Sequence, residues 1–135
     1  MTTKKTLCLI KPDAVSAGKI GEILTILEND GFHILKMKMM KMNDDIAQKF
    51  YCVHKNKNFF EGLIEFMTSS QIAAMVLERE DAINRLRSLV GNTDSRVAAK
   101  GTIRNLYGTD ERKNAIHASD GSESVKHEIK VIFDN

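Results

Sequence analysis

The run from Ile72 to Leu77 constrains the fold of this chain more than any other segment. Its six residues, Ile-Ala-Ala-Met-Val-Leu, are all apolar, and six residues is a common length for a strand. A strand with one face in water alternates apolar and polar side chains, whereas a continuous apolar run is typical of a strand buried on both faces. We therefore place a buried strand here. The length of 135 residues favours one domain, residues 1–135, with a substantial core.

The rest of the chain alternates between strand and helix patterns. Strands are predicted at 5–11, 32–42 and 115–118. Helices are predicted around 20–30, from the cap Asn43 through Val53, from a capping box at Asn58 and Glu61, at 82–90, and from about Ser122. Residues 91–114 show no convincing period, and a structureless stretch of that length is usually functional. The order predicts an α+β sandwich of the split βαβ type, with helices over one face of a four-stranded sheet.

Composition excludes several classes of protein. Hydrophobic residues make up 42% of the chain and charged residues 28%, as in ordinary soluble domains. No apolar run has the length to cross a membrane, and the first residues lack the apolar segment of a secretory signal. Cys8 and Cys52 are too few for a disulfide framework or a zinc site. We therefore expect a cytoplasmic protein without membrane association.

The basic residues are concentrated in one part of the chain. The overall net charge is only +2, but residues 85–113 contain seven basic and three acidic side chains and carry +4. A local positive field in a nearly neutral protein favours a small anionic ligand over a nucleic-acid backbone.

Side chains, rather than a glycine-rich loop, must do most of any phosphate binding. Gly18-Lys19 lacks the following Ser or Thr and the earlier glycine of a P-loop, and no G-x-G-x-x-G occurs. Arginine binds phosphate oxygens through paired hydrogen bonds. Each arginine taken alone also fits a solvated surface charge. The candidates for phosphate contacts are Lys11, Arg87, Thr93, Arg104 and Asn114.

His117 is the candidate reacting group. It follows the long loop, precedes Ser119 and Asp120, and lies one helix before Glu128. Imidazole titrates near neutral pH and serves as a base, a nucleophile or a metal ligand. A carboxylate on one ring nitrogen would leave the other free to attack. A lone histidine on a strand is also often structural, and no His-x-His or His-x-x-x-His spacing supports a metal.

Two aromatic residues offer a slot for a nucleotide base. Tyr51 and Phe59 flank the connection between two predicted helices, and aromatic side chains bind bases by stacking. Core packing is the alternative interpretation of both.

Five motifs, in order, resemble those of the nucleoside diphosphate kinases. They are Lys11-Pro12-Asp13, Phe59-Phe60-Glu61-Gly62-Leu63, Arg87 with Gly91-Asn92-Thr93, Gly101-Thr102-Ile103-Arg104, and Asn114-Ala115-Ile116-His117-Ala118-Ser119-Asp120. The resemblance runs from about Lys4 to Phe133, nearly the whole chain.

The resemblance implies a ferredoxin-like fold, a four-stranded antiparallel sheet, and γ-phosphoryl transfer from nucleoside triphosphates to diphosphates in a homo-oligomer. It implies that His117 is phosphorylated in a ping-pong cycle, with Ser119, Glu128, Lys11 and Tyr51 assisting. Mg²⁺ would be held mainly by nucleotide phosphates, without a named protein ligand. Nucleic acid would not be required. Nucleotide contacts would come from Lys11, Phe59, Leu63, Arg87, Thr93, Arg104 and Asn114.

Five positions depart from the family pattern. Ala118 replaces a usual glycine and Gly121 a usual serine, which would alter backbone freedom beside His117. Asp94-Ser95 replaces a usual Asn-Pro pair, and Ala99 a usual proline, in a loop that the family uses for subunit contacts.

A binding module on the same fold, with His117 unused, is the competing hypothesis. Ferredoxin-like sheets that bind single-stranded RNA expose aromatic residues on their central strands. Here the predicted strands carry almost none; Phe32 is the exception. A module of this kind would also be expected to lose some of the candidate site residues, and all are present, so the enzyme is favoured.

Overall fold

The structure is a computed structural model that describes residues 4–134. Most of the chain start that argues against a secretory signal lies outside this range. The strands and helices, in chain order, are β1 (Lys5–Ile10), α1 (Pro12–Ser16), α2 (Ile20–Asn29), β2 (His33–Met40), α3 (Asp44–Phe50), α4 (Phe60–Met67), β3 (Ile72–Glu78), α5 (Ala82–Val90), α6 (Ile103–Tyr107), β4 (Ile116–Ala118) and α7 (Ser122–Phe133). Short 3₁₀ turns lie at Cys52–His54 and Ser95–Val97.

The four strands form one antiparallel sheet in the order β2-β3-β1-β4. The first strand of the chain therefore lies beside the last one. Together with the helices that cover it, this sheet confirms the ferredoxin-like α+β fold. The long run at 72–77 is strand β3, buried along its length and paired on both sides.

Helices cover both faces of the sheet, so the prediction of helices over one face was wrong. Successive side chains of a strand point to opposite faces, and both sets are buried here. One core contains Cys8 and Ile10 of β1 and packs against α2 and α5. The other contains Leu7 and Leu9 and packs against α3, α4 and α7. A continuous apolar strand requires this double cover.

Of the two predicted helix caps, the one at Asn43 is confirmed and the one at Asn58 is wrong. The Asn43 side chain accepts a hydrogen bond from the Ile46 amide at 2.8 Å, so the predicted cap of α3 is confirmed. The capping box at Asn58 and Glu61 was wrong: α4 begins at Phe60, after Phe59, with no side-chain cap. Val53 is exposed in a 3₁₀ turn rather than continuing the face of α3.

The segment from Gly91 to Asn114 contains helix α6, which periodicity did not reveal. Five residues make less than two turns, too few for an apolar repeat. The Thr102 side chain caps this helix by accepting from the Asn105 amide, and Ile103 is fully buried in the core. Within residues 4–134, no helix combines the length and the apolar character needed to cross a membrane.

Candidate active site

His117 lies on β4, directly opposite Leu9 of β1. Directly opposed residues of antiparallel strands share a face, so the imidazole points toward the core that contains α3 and α7. There it meets two rings edge-on, with centroid separations of 5.0 Å to Phe50 and 6.0 Å to Tyr51. The sheet register thus places the histidine in a half-buried aromatic pocket.

Glu128, from α7, holds the imidazole in one orientation. Its Oε1 lies 2.8 Å from His117 Nε2 and 2.6 Å from the hydroxyl oxygen of Ser119. A carboxylate oxygen accepts, so Ser119 donates to it and Nε2 carries the ring proton of the neutral histidine. The other nitrogen, Nδ1, keeps its lone pair. Serine, glutamate and histidine are therefore one hydrogen-bonded unit.

Two arginines bind the backbone on either side of His117. Arg104 donates to the Ile116 carbonyl at 2.9 Å and to the Gly91 carbonyl at 3.1 Å. Nη1 of Arg87 lies 3.5 Å from the carbonyl oxygen of Ala118. Because β4 is an edge strand, its outer carbonyls are available to such donors. The free edge of the sheet thereby brings two guanidinium groups beside the imidazole.

Lys11 supplies a third cation near this edge, and its side chain is buried. Its ammonium donates to the Arg112 carbonyl at 3.3 Å, at the end of the long loop. Burial, reinforced by repulsion from Arg104, lowers the pKa of Lys11 to about 7. Burial and repulsion from Arg87 likewise lower the pKa of Arg104 to about 10. An anion placed among these groups would relieve both effects.

Some of the basic side chains of residues 85–113 are held in ion pairs with acidic residues, and others are not. Arg85 pairs with Asp30, and Arg96 pairs with Asp94, so these cations are used elsewhere. Within residues 4–134, Lys11, Arg87 and Arg104 form no ion pair, although Asp13 and Asp110 raise the pKa of Lys11 in part. Arg87 and Arg104 of this stretch, together with Lys11, are the cations that lie near His117.

Several buried polar atoms around the site have no hydrogen-bond partner among the described residues. They include the Tyr51 hydroxyl, Nε of Arg104 and Oδ1 of Asn114. Unpaired buried polar groups are costly unless a ligand or water completes them. Burial, reinforced by the negative charge of Glu128, also raises the pKa of Tyr51, so its hydroxyl stays a donor. These atoms favour a polar ligand beside the histidine.

A row of rings leads from His117 to the surface. The Tyr51 ring is next to the His117 ring. The ring centroids of Tyr51 and His54 are 6.5 Å apart, and those of His54 and Phe59 are 5.4 Å apart. Phe59 is 44% exposed, so core packing does not account for it, whereas Tyr51 is buried. The row connects the His117 ring to an exposed aromatic side chain.

The remaining predicted residues lie along the same region. The Asn114 side-chain amide donates to the Thr93 carbonyl at 2.8 Å, which joins the two ends of the loop, while Thr93 itself is exposed. Leu63 is buried against the core on α4. No measured contact links Phe59, Leu63 or Thr93 directly to His117.

Asp13 is a site residue for which sequence analysis assigned no role. Its carboxylate accepts from the Ala115 amide at 3.0 Å, and the Lys11 amide donates to the Ala115 carbonyl at 2.8 Å. Ala115 has φ of 74°, a left-handed conformation that is costly for alanine. The Lys11-Pro12-Asp13 segment therefore braces the turn that begins β4. In the sequence, this role was indicated only by the acidic residue that directly follows Lys11-Pro12.

His54 was also missed. The only indication in the sequence that His54 lies near Tyr51 was its position three residues later. The 3₁₀ turn at Cys52–His54 brings the His54 ring into the row of rings.

The two residues near His117 that depart from the family pattern, Ala118 and Gly121, impose no backbone strain. Ala118 lies in β4 outside the left-handed region. Gly121 has φ of −174°, an extended conformation open to any residue. In the long loop, the Asp94 side chain caps the 3₁₀ turn by accepting from the Arg96 amide at 3.0 Å, which orders this part of the loop without proline.

The sequence of residues 4–135 matches a family model described as nucleoside diphosphate kinase. The chain belongs to the nucleoside diphosphate kinase family. It is 49% identical to a nucleoside diphosphate kinase of Staphylothermus marinus over 133 residues, which cover 98% of this chain and 94% of that protein.

Solved nucleoside diphosphate kinases have the same fold. The enzyme from Aquifex aeolicus has a TM-score of 0.93 and 47% identity, covering 96% of this chain and 94% of that one. The halophilic enzyme from Halobacterium salinarum, in complex with CDP, has a TM-score of 0.94 and 41% identity, covering 98% and 88%. As a nucleoside diphosphate kinase, the chain is a phosphotransferase that acts on nucleotides, and the binding-module hypothesis is not retained.

Proposed function

We propose that this enzyme transfers the γ-phosphoryl group of ATP, or of another nucleoside triphosphate, to nucleoside diphosphates by a ping-pong mechanism through phosphohistidine at Nδ1 of His117. One observation carries the proposal. Glu128 binds Nε2 of the imidazole, so Nδ1 keeps its lone pair, and the backbone carbonyls on either side of His117 hold Arg104 and Arg87.

In the first half-reaction, Nδ1 attacks the γ-phosphorus of the triphosphate. The Nδ1–P bond forms, the bond to the bridging β–γ oxygen breaks, and the diphosphate leaves with that electron pair. The ring becomes positively charged, and Glu128 stabilises it through the Nε2 proton. Ser119 donates to the same carboxylate oxygen and keeps it aligned.

The second half-reaction reverses these bonds with a new acceptor. A terminal β-phosphate oxygen of a nucleoside diphosphate attacks the phosphorus, the Nδ1–P bond breaks, and the imidazole recovers its lone pair. Splitting the transfer between two anions into two steps lets one site serve both nucleotides.

The cations stabilise charge on the transferring group. In phosphoryl transfer that charge is spread over the equatorial oxygens, and two planar guanidinium groups with an ammonium match this distribution. The unpartnered atoms of Tyr51, Arg104 and Asn114 are suited to complete the contacts with phosphate or ribose, with Thr93 at the loop end.

Magnesium fits this site as an ion carried by the nucleotide. Among residues 4–134 there is no group of three or more His, Cys, Asp or Glu side chains that could hold a metal. The chain contributes mainly donors and positive charge here. Mg²⁺ held by phosphate oxygens and water would neutralise part of the phosphate charge.

The function is tested by incubating the wild-type enzyme with γ-labelled ATP and Mg²⁺, then adding an unlabelled nucleoside diphosphate. We expect label that is acid-labile, alkali-stable and transferred to the added diphosphate. Transfer that requires both nucleotides at once, with no labelled protein, would contradict the covalent mechanism.

Phe59, exposed at the start of α4, is proposed to stack on the base. We expect Phe59→Ala to weaken binding of ADP, GDP, CDP and UDP by similar factors, about tenfold, because stacking uses the π-face that every base has. Titration calorimetry with the four diphosphates measures this. Phe66→Ala, in the same helix, is the matched control. Loss of one base alone would indicate recognition of base edges instead.

A homo-oligomer is proposed on the basis of the edge strand β2. Leu35, Met37 and Met39 are 44%, 41% and 46% exposed. Met37 and Met39 share a face by their spacing of two, and Leu35 lies at a register shift between Ile34 and Lys36. Exposed apolar residues on an edge strand are typical of an association surface. The exposed Val97 and Leu106 offer a second surface near the long loop.

We expect Met37→Lys to shift the enzyme to a smaller assembly, since it places a charge in the middle of this row. Sedimentation equilibrium measures the change, with Lys41→Met as a control just beyond the strand. An unchanged mass would exclude β2 as the interface.

We further propose that the chain functions as one catalytic domain in the cytoplasm and maintains pools of nucleoside and deoxynucleoside triphosphates. The thiols of Cys8 and Cys52 are unpaired, which is usual in a reducing compartment.

A further inference from the structure

Helix α7 crosses the sheet from one edge to the other. It begins shortly after β4, and its last turn contacts β2, the strand at the opposite edge. Ile132, in that last turn, is fully buried in the same core as Leu9. Glu128 lies four residues before Ile132, and residues four apart share a face of a helix. The position of the last turn therefore affects the position of the Glu128 carboxylate.

The Lys38 side chain, from β2, holds this last turn. Its ammonium donates to the carbonyl of Ile132. The last carbonyls of a helix have no partner within the helix, and a positive charge at this end also interacts favourably with the helix dipole. The same ammonium lies 5.2 Å from the centroid of the Phe133 ring, where a cation–π interaction is favourable. Lys38 thus contacts two consecutive residues of α7.

Lys36, on the same strand, offers a matched comparison. Lys36 pairs with Val76 and Lys38 with Ala74, and their spacing of two places both lysines on one face of the sheet. The Lys36 ammonium lies 5.8 Å from the Phe133 centroid. Lys36 is exposed, whereas Lys38 is half-buried and also donates to the main chain of α7. The two lysines therefore differ chiefly in the hydrogen bond to the helix.

The carboxylate of Glu128 has little freedom to move. One of its oxygens lies 2.8 Å from His117 Nε2 and 2.6 Å from the Ser119 hydroxyl oxygen. Hydrogen bonds weaken steeply when they lengthen or bend beyond this range. A small shift of α7 along its axis would therefore loosen both contacts at once and release the imidazole from its fixed orientation.

The other attachments of α7 leave its last turn to Lys38. The helix follows Gly121, which has no side chain to cap it. His127, in the middle of α7, lies 2.7 Å from the Lys49 carbonyl oxygen at the end of α3. Lys38 acts at the end beyond this contact and attaches the helix to the sheet edge farthest from β4.

We propose that Lys38 is a positioning residue for phosphoryl transfer. By holding the last turn of α7 against β2, it fixes the Glu128 carboxylate and, through it, the imidazole of His117. The inference rests on the histidine chemistry proposed above. A misplacement of about 1 Å caused far from the reacting atoms can slow a reaction by up to about 10²-fold. The effect should fall on the rate of transfer, because Lys38 is not among the residues proposed to contact the nucleotide.

The rate of label uptake from saturating γ-labelled ATP, quenched with alkali, tests the proposal together with titration of ADP. We expect Lys38→Met to slow uptake about tenfold with an unchanged Kd for ADP, because methionine cannot donate to α7. Lys38→Arg keeps a donor and the charge and should restore the rate. Lys36→Met removes the same charge from the same face and should behave like wild type. Weaker ADP binding at an unchanged rate, or an equal loss in Lys36→Met, would overturn the assignment.

Ile23→Val separates positioning from a general loss of stability. Ile23 is fully buried on α2, in the core on the opposite face of the sheet from α7. The substitution should lower the Tm, as Lys38→Met does, while label uptake stays at the wild-type rate. Slower uptake in proportion to the Tm in both variants would show that Lys38 contributes stability alone.

The ¹⁵N signals of the His117 ring report its orientation without any transfer. In the wild type, Nε2 of the neutral ring bears the proton, so the two nitrogens should give well-separated signals. In Lys38→Met the loosened Glu128 contact lets the two tautomers mix, and the signals should move together. Lys38→Arg, Lys36→Met and Ile23→Val should keep the wild-type spectrum, and His117→Ala assigns the signals.

These two readouts distinguish failure of this inference from failure of the proposed function. If wild type takes up label and Lys38→Met matches it in rate and spectrum, the positioning role is wrong and the kinase mechanism stands. If wild type takes up no label, the mechanism fails, and the ¹⁵N spectra still decide whether Lys38 orients the His117 ring.

Discussion

Replacing His117 with alanine is expected to reduce phosphoryl transfer by at least about 10⁴-fold, since the variant has no atom to form the covalent intermediate. The cations proposed to bind phosphate directly follow β1 or lie on α5 and α6, and they are bound to main-chain carbonyls that the substitution leaves in place. Nucleotide binding should therefore persist. The rate of labelled-protein formation from γ-labelled ATP measures the loss, and titration with ADP measures the binding that remains.

His33→Ala is the matched control, because His33 is exposed at the start of β2. It should take up label like wild type. Turnover by a pure His117→Ala preparation at more than a hundredth of the wild-type rate would refute His117 as the nucleophile. Loss of ADP binding together with transfer would instead indicate that the imidazole supports the fold, and a thermal melt of the variant would show this directly.

Lys11→Met is expected to lower kcat/KM by about 10²- to 10³-fold and, at the same time, to stabilise the fold. The activity loss follows from removing a positioned cation from the transferring phosphoryl group. The stability gain follows from the pKa of about 7 that burial imposes on Lys11. Below that pH the wild-type protein holds a charged ammonium in a site that disfavours it, whereas methionine fills a similar volume without charge.

The pH dependence of this gain has a definite sign. The folded pKa lies below the ordinary value of 10.5, so between the two the unfolded chain binds more protons, and wild-type stability rises with pH. The advantage of Lys11→Met, of the order of 5 kcal/mol from this difference in pKa, is thus largest at or below pH 7 and shrinks toward pH 10. Urea unfolding at pH 6, 8 and 10 measures it, with the exposed Lys100→Met as control. A constant difference would contradict the buried-cation argument.

Much of the fold follows from apolar spacing alone. Strands β1 and β3 and helix α5 coincide with their predicted positions because each has a strong pattern of apolar residues, and those residues are buried. Helices α1 and α6 were missed, since five residues are too few to show a period. Placing the helices on both faces required knowing that β1 and β3 are adjacent inner strands, which depends on long-range pairing.

The site was predictable by residue type but not by geometry. The five motifs name His117, Lys11 and Arg104, whereas the shared Glu128 oxygen and the carbonyls that hold the arginines depend on how β4 packs. The close approach of the Arg112 guanidinium to Gly62 had no signal in the sequence, since the two residues are fifty positions apart. Contacts of this kind arise from tertiary structure.

The pairing of β1 with β4 also determines when the enzyme becomes active during its synthesis. Leu9 faces His117, and the imidazole is held by Glu128, so a growing chain cannot assemble the site until its last helix has left the ribosome. Such distant pairings close late in folding. A chain truncated before α7 would contain the proposed nucleophile and all three cations yet lack the carboxylate that orients the imidazole. We therefore expect unfinished chains and degradation fragments without α7 to transfer no phosphoryl group.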